Sequence, residues 1–150
     1  MSIESTISEI HKLHSQGQDK YTYFLLAAAG AAIGFAVQKT DGLPLSWWLL
    51  PVGIATLCWA ASFYCGCRTL DRVSASMSAN YNLLQLKQGS HPNQPPHPQI
   101  TEVALREVLS AFERNIQSAL KFAIWQFRLL IAGSILFVSW RILEMIRITL

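Results

Sequence analysis

The most reactive side chains in this 150-residue sequence are three cysteines and four histidines. Cys65 and Cys67 form a Cys-Gly-Cys pair, and Cys58 lies seven residues earlier. Such a pair can be acylated in a eukaryote, bind a metal together with a partner chain, or close a disulfide. Cytoplasmic reducing conditions disfavour the disulfide, and small packing residues are the simplest role for all three. His11 and His14 share a helix face, while His91 and His97 each precede a proline. Two histidines without carboxylate partners make a poor metal site, so no metal is expected. Glu144 stands three residues from both Arg141 and Arg147, a spacing that suits helix ion pairs better than acid chemistry. No G-x-S-x-G, H-E-x-x-H, P-loop or apolar carboxylate pair occurs in the sequence. These residues predict a protein that is not an enzyme and carries no cofactor.

The elements that must hold these residues are strongly apolar. Hydrophobic residues make up 51% of the chain and charged residues 14%, too few to cover an ordinary soluble surface. The net charge of +3 is modest, and no Lys/Arg run suggests a nucleic-acid partner. Charges are absent from the 18 residues of Tyr21–Gln38 and from the 26 of Gly42–Cys67. At 1.5 Å per residue, each run is long enough to cross a bilayer core. A signal peptide fits the first run poorly, because Glu4, Glu9 and Asp19 precede it and a second apolar run follows at once.

The expected fold class is an all-α membrane protein forming a single helical domain over 1–150. The N-terminal segment, 1–18, reads as an amphipathic helix with Ile3, Ile7, Ile10 and His14 on one face. A first span over 21–38 and a second over 45–66 form a tight transmembrane hairpin. They are joined by Lys39 to Pro44, where Asp41-Gly42 supplies a turn. Gly30 and Gly34 form a GxxxG motif flanked by Ala27 and Ala31, and small residues allow helices in lipid to approach closely. The expected contact is with the second span of the same chain or with a second copy.

Trp47 and Trp48 open the second span, at the depth tryptophan prefers. A third span is expected over 122–141. Only 12 residues, Leu129–Trp140, are charge-free there, so a re-entrant or interfacial helix is the alternative. Trp125 and Trp140 would mark its two boundaries. Arg128 would snorkel to the headgroups, with Arg141 just beyond the end.

Between the second and third spans, 67–121 reads as a cytoplasmic antiparallel coiled-coil hairpin. Leu70, Val73, Met77, Asn80 and Leu84 recur at 3-4-3-4 spacing, and Leu105, Leu109, Phe112 and Ile116 at 4-3-4. The loop over 87–99 holds four of the six prolines, and Thr101 is the expected N-cap of the following helix.

Four stretches, Asp19–Leu26, Cys65-Gly66-Cys67-Arg68, Asn80–Leu84 and Trp125–Gly133, resemble a group of small uncharacterised bacterial inner-membrane proteins. That resemblance implies a bacterial inner membrane and no activity. The order of an N-terminal helix, a tight two-span hairpin and a cytoplasmic helical region also resembles SLATT-type effectors, proposed to perforate membranes in bacterial conflict. The third span departs from that plan. Two functions follow as expectations. One is a membrane scaffold or accessory subunit whose hairpin recruits an unknown protein partner or a second copy. The other is a membrane-perturbing effector that assembles through its first span.

With three spans, one side of the membrane holds eight Lys/Arg and the other three, with Arg128 left in the helix. The positive-inside rule then places the N-terminus and the central segment in the cytoplasm. Alkaline phosphatase fused after Leu150 should therefore be active, and fused at Gln88 inactive. An inactive C-terminal fusion of a correctly inserted protein would contradict three spans.

Overall fold

The computed structural model of the chain describes residues 3–44, 46–93, 95 and 97–149. The side chains of residues 3–16, 18 and 19 lie outside that description, and with them His11 and the face formed by Ile3, Ile7, Ile10 and His14. The described chain is 91% helix with no strand. Three α-helices carry it: α1 (Ile3–Thr40), α2 (Leu50–Gln88) and α3 (Pro98–Thr149), with a 3-10 turn at Trp47–Leu49 before α2. All three are long and apolar enough to cross a membrane. The expected amphipathic helix and first span are one continuous helix, since no proline or capped break interrupts residues 3–40.

The helix ends follow local chemistry. After α1, Gly42 adopts φ +74° and the Leu43 N–H donates to the Thr40 carbonyl at 3.2 Å, a left-handed turn that costs glycine little. The Ser46 hydroxyl accepts from the Trp48 N–H at 3.2 Å and so caps the 3-10 turn. α2 ends in a Schellman motif, with Gly89 at φ +69°. There Ser90 N–H donates to the Gln85 carbonyl and Gly89 N–H to the Leu86 carbonyl. α3 begins four residues earlier than a Thr101 cap would have placed it. Pro98 takes the first helical position, where its missing donor is harmless. The His97 carbonyl accepts from the N–H groups of Ile100 and Thr101, both at 3.1 Å. Thr101 is no cap; its hydroxyl donates to the same carbonyl at 3.2 Å.

The chain divides into two compact units. Unit 1 comprises residues 1–67 and 123–150, and unit 2 comprises residues 68–122. Unit 1 packs α1, the first half of α2 and the second half of α3 around Ala36, Val52, Ala55, Trp59, Phe137 and Trp140. Phe137 joins the three helices. Its ring centroid lies 5.8 Å from Phe35, 5.6 Å from Trp59 and 5.7 Å from Trp140, within the range of favourable aromatic pairs.

The tight contacts in unit 1 fall at two glycines. A Cβ at Gly133 would lie 2.7 Å from Trp59 Nε1 and 3.0 Å from the Ala55 carbonyl oxygen. One at Gly66 would lie 2.6 Å from Gln126 Nε2 and 2.7 Å from Leu26 Cδ2. Gly30 and Gly34 have no such neighbours; a Cβ at either meets nothing within 4 Å. α1 instead buries Thr22, Leu25, Ala29 and Ala36. At 100° per residue, the GxxxG motif lies on the far side of the helix from that face, so it does not make the expected contact with the second span.

Unit 2 is a helical hairpin in which α2 and α3 run antiparallel around the turn after Gln88. Arg72 Nη1 donates to Asn115 Oδ1 at 3.1 Å across the pair. Its buried positions are Thr69, Ser76, Leu86 and Ala119. The expected seam is displaced around both helices. Met77, Leu84, Leu109 and Ile116 are exposed, and Leu70, Val73, Leu105 and Phe112 are only half-buried.

The glycine contacts carry a direct test. Gly133→Ala should lower the thermal stability of the purified protein by roughly 1–3 kcal/mol, because the methyl meets backbone that cannot swing aside. Gly30→Ala should leave the unfolding midpoint of the single chain unchanged. Thermal unfolding in detergent, followed by circular dichroism, compares the two.

Candidate functional site

The polar groups buried within unit 1 are the strongest departures from an apolar bundle. Gln126 and Ser62 are fully buried. The Ser62 hydroxyl donates to the Gln126 backbone carbonyl at 2.7 Å. One turn along α3, the Leu130 carbonyl accepts from Trp59 Nε1 at 3.3 Å and from the Ser134 hydroxyl at 2.9 Å. Both carbonyls are reached from α2, one by a serine hydroxyl and one by the edge of an indole. The Gln126 side-chain amide has no hydrogen-bond partner at either polar atom and fills the notch left by Gly66. A buried amide without partners costs a few kcal/mol, and its retention here accompanies the closest side-chain fit in the unit.

The second polar group is Glu144, buried in unit 1. Trp48 Nε1 donates to its Oε2 at 2.6 Å, and Arg147 Nη2 to its Oε1 at 2.7 Å. The Arg147 guanidinium also lies 5.6 Å from the Trp48 ring centroid, within cation–π range. The three side chains close a small ring that fastens the start of α2 to the end of α3. Of the two arginines spaced to pair with Glu144 in sequence, Arg147 holds it. The Trp48 indole supplies the third member of this cluster.

The remaining predicted positions fall as follows. Gly30, Gly34, Ala27 and Ala31 are exposed together on one face of α1. Trp47 and Arg141 are exposed, and Arg128 lies 5.9 Å from the ring centroid of exposed Trp125. Trp140 packs on Phe137 and is 3% exposed. Cys58 and Cys65 are half-buried and Cys67 is exposed. His91 Nδ1 accepts from the Asn93 N–H at 3.1 Å, so His91 and His97 each shape one end of the proline-rich turn. Among the described residues, no three His, Cys, Asp or Glu side chains converge as metal ligands would.

Sequence reasoning missed Gly66, Gly133, Ser62 and Gln126. A signal was present: Ser62, Gly66, Thr69 and Ser76 place small residues at intervals of four, three and seven. That is a heptad marked by size instead of hydrophobicity.

Comparison of the chain with known protein families, with curated proteins and with solved structures gives no match.

The Trp48–Glu144 bond should show as a coupling. A cycle of Trp48→Phe, Glu144→Gln and the double variant, measured by thermal or denaturant unfolding, should give an interaction energy of roughly 0.5–2 kcal/mol, the range of interhelical side-chain hydrogen bonds in membrane proteins. Additive effects would remove the bond from the structure's support.

Proposed function

We propose that this chain is a non-enzymatic integral-membrane scaffold or accessory protein of a bacterial inner membrane. In this proposal the N-terminus is cytoplasmic, and the helical hairpin of unit 2 lies outside the bilayer for association with a partner. Helix length supports the second point. α2 has 39 residues and α3 has 52, or about 58 Å and 78 Å at the standard rise, against a hydrocarbon core of about 30 Å. Much of each helix is therefore left over once a span is counted. The lipid reading of unit 1 is supported by its outward side chains. Phe24, Leu57, Ile135 and Ile142 are all more than half exposed, whereas Ser62 and Gln126 are inside. That distribution suits a hydrocarbon solvent and not water.

The observation that carries the scaffold reading is in unit 2. Its intramolecular contact holds buried Leu86 and half-buried Leu70, Val73, Leu105 and Phe112, yet Met77, Tyr81, Leu84, Leu109, Ile116 and Leu120 remain exposed. An exposed row of that kind marks an interaction surface.

The alternative, a membrane-perturbing or pore-forming effector, draws on one observation: the Gly30/Gly34 face of α1 is open and could pair copies within the bilayer. Against a pore, the hydroxyls of Thr56 and Ser134 donate to the Val52 and Leu130 carbonyls of their own helices, which leaves few groups to line water. Overexpression and vesicle assays separate the two. A scaffold should leave growth and membrane potential intact and release no dye from phosphatidylethanolamine/phosphatidylglycerol vesicles. Dose-dependent leakage, abolished by Gly34→Leu, would overturn the scaffold reading in favour of the effector.

A further inference from the structure

We infer that unit 2 pairs with a second copy of itself, through the face on which both of its helices expose large apolar side chains, to form a four-helix bundle. The inference deepens the scaffold reading by naming the partner of its hairpin. On α2, Met77, Tyr81 and Leu84 are 51%, 62% and 49% exposed. On α3, Leu109, Ile116 and Leu120 are 44%, 36% and 54% exposed. These six fall within a narrow stripe on each helix, because spacings of three, four and seven residues return to nearly the same angle at 100° per residue; exposed Glu102 and Glu113 border the apolar residues on the α3 stripe.

The offset of each stripe from the intramolecular seam decides where it lies. On α2 the half-buried and buried positions Thr69, Arg72, Ser76 and Leu83 centre about a third of a turn behind the Met77 stripe. On α3 the corresponding positions Val108, Ala111, Asn115 and Ala119 centre about a third of a turn behind the Leu109 stripe, in the same rotational sense. Two antiparallel helices are exchanged by a two-fold axis perpendicular to the plane that contains them. Equal offsets in the same sense therefore put both stripes on one face of the hairpin. Offsets of opposite sense would have put them on opposite faces, as two unrelated scatters of apolar residues.

A single helix laid on this face would want stripes turned closer to the seam, as in a three-helix bundle. An offset near a third of a turn is closer to the quarter-turn of a square four-helix arrangement, which needs two further helices presented side by side. A second hairpin of the same kind supplies them. The area suffices. Covering the exposed parts of the six side chains removes about 500 Å² per copy, or about 1,000 Å² in all, the lower bound for a specific interface. Such an area predicts a reversible dimer, not an obligate one.

The experiment uses the full chain in mild detergent, with mass measured by sedimentation across a concentration series. The wild-type protein should show a concentration-dependent dimer. Leu84→Glu combined with Leu109→Glu should raise the dimer dissociation constant by roughly tenfold or more, since each dimer would bury four charges, and should leave helicity unchanged. Val103→Glu, at a 62% exposed apolar position off the face, should leave the dimer intact.

A second measurement does not depend on the charged variant folding. A spin label at Tyr81→Cys, with Cys58, Cys65 and Cys67 replaced, should report a short distance between copies that disappears on dilution with unlabelled chain. A wild-type monomer, a double variant that dimerises normally, or a dimer lost on Gly30→Leu while the labels at position 81 stay far apart would each overturn this interface. None of these outcomes bears on membrane leakage, so the scaffold reading and the self-pairing fail separately.

Discussion

The three-helix unit depends on how near the backbone of α3 comes to that of α2. At Gly133 a single added methyl would lie 3.0 Å from the Ala55 carbonyl oxygen. This closeness lets Trp59 reach the Leu130 carbonyl and Ser62 the Gln126 carbonyl, and it brings Phe137 among aromatic rings from the other helices. In an apolar solvent, burying another apolar side chain gains little, so contact and hydrogen bonds hold helices together. A structure of that kind places its small residues inside and its leucines and phenylalanines outside. Unit 1 follows that rule in part: Ala29, Ala36, Ala55 and Gly133 are buried and Phe24 and Leu57 turn outward, while Leu25, Trp59, Phe137 and Trp140 fill the space between the helices.

The same rule explains what could and could not be read from the sequence. The charge-free runs disclosed the helices and their order, because bilayer crossing is a matter of length and composition. The proline-rich turn disclosed the reversal between α2 and α3. Phase around each helix was harder. Leu70, Met77 and Leu84 make a good heptad on hydrophobicity, yet Thr69, Ser76 and Leu86 are the residues within the hairpin. Thr69 and Ser76 share the seven-residue spacing of Leu70 and Met77, so periodicity alone cannot choose between the rows, and weighting by hydrophobicity favours the outer one. The GxxxG motif misleads in the same way. Gly30 and Gly34 form a familiar pattern, whereas Gly66 and Gly133 are isolated in sequence and become a contact only when α2, α3 and the side chains of Leu26, Gln126 and Trp59 are brought together. The start of α3 falls ahead of Thr101 because Pro98, with its fixed φ and missing donor, suits the first helical position.

The two buried polar clusters in unit 1 act differently. Glu144 has both carboxylate oxygens satisfied, one by an indole and one by a guanidinium, so its charge is compensated where it lies. Gln126 has a side chain with neither polar atom satisfied, held by shape against Gly66. A satisfied group contributes to stability. An unsatisfied one subtracts from it, and contributes to the choice among helix registers only to the extent that every other register leaves it worse placed. For Gln126, a shift of one turn would move its side chain off the single glycine that admits it.

The partners of the Glu144 ring lie far apart along the chain. Trp48 and Glu144 are 96 positions apart, and a ribosome adding about 5–20 residues per second reaches the carboxylate roughly 5–20 s after the indole. During that interval the first two helices must hold their hairpin without the carboxylate that later joins them to the third. A nascent chain stalled before Glu144 would thus carry an indole N–H with no carboxylate to receive it. The clasp can close only after α3 has been made as far as Glu144, which makes it a marker that all three helices have assembled.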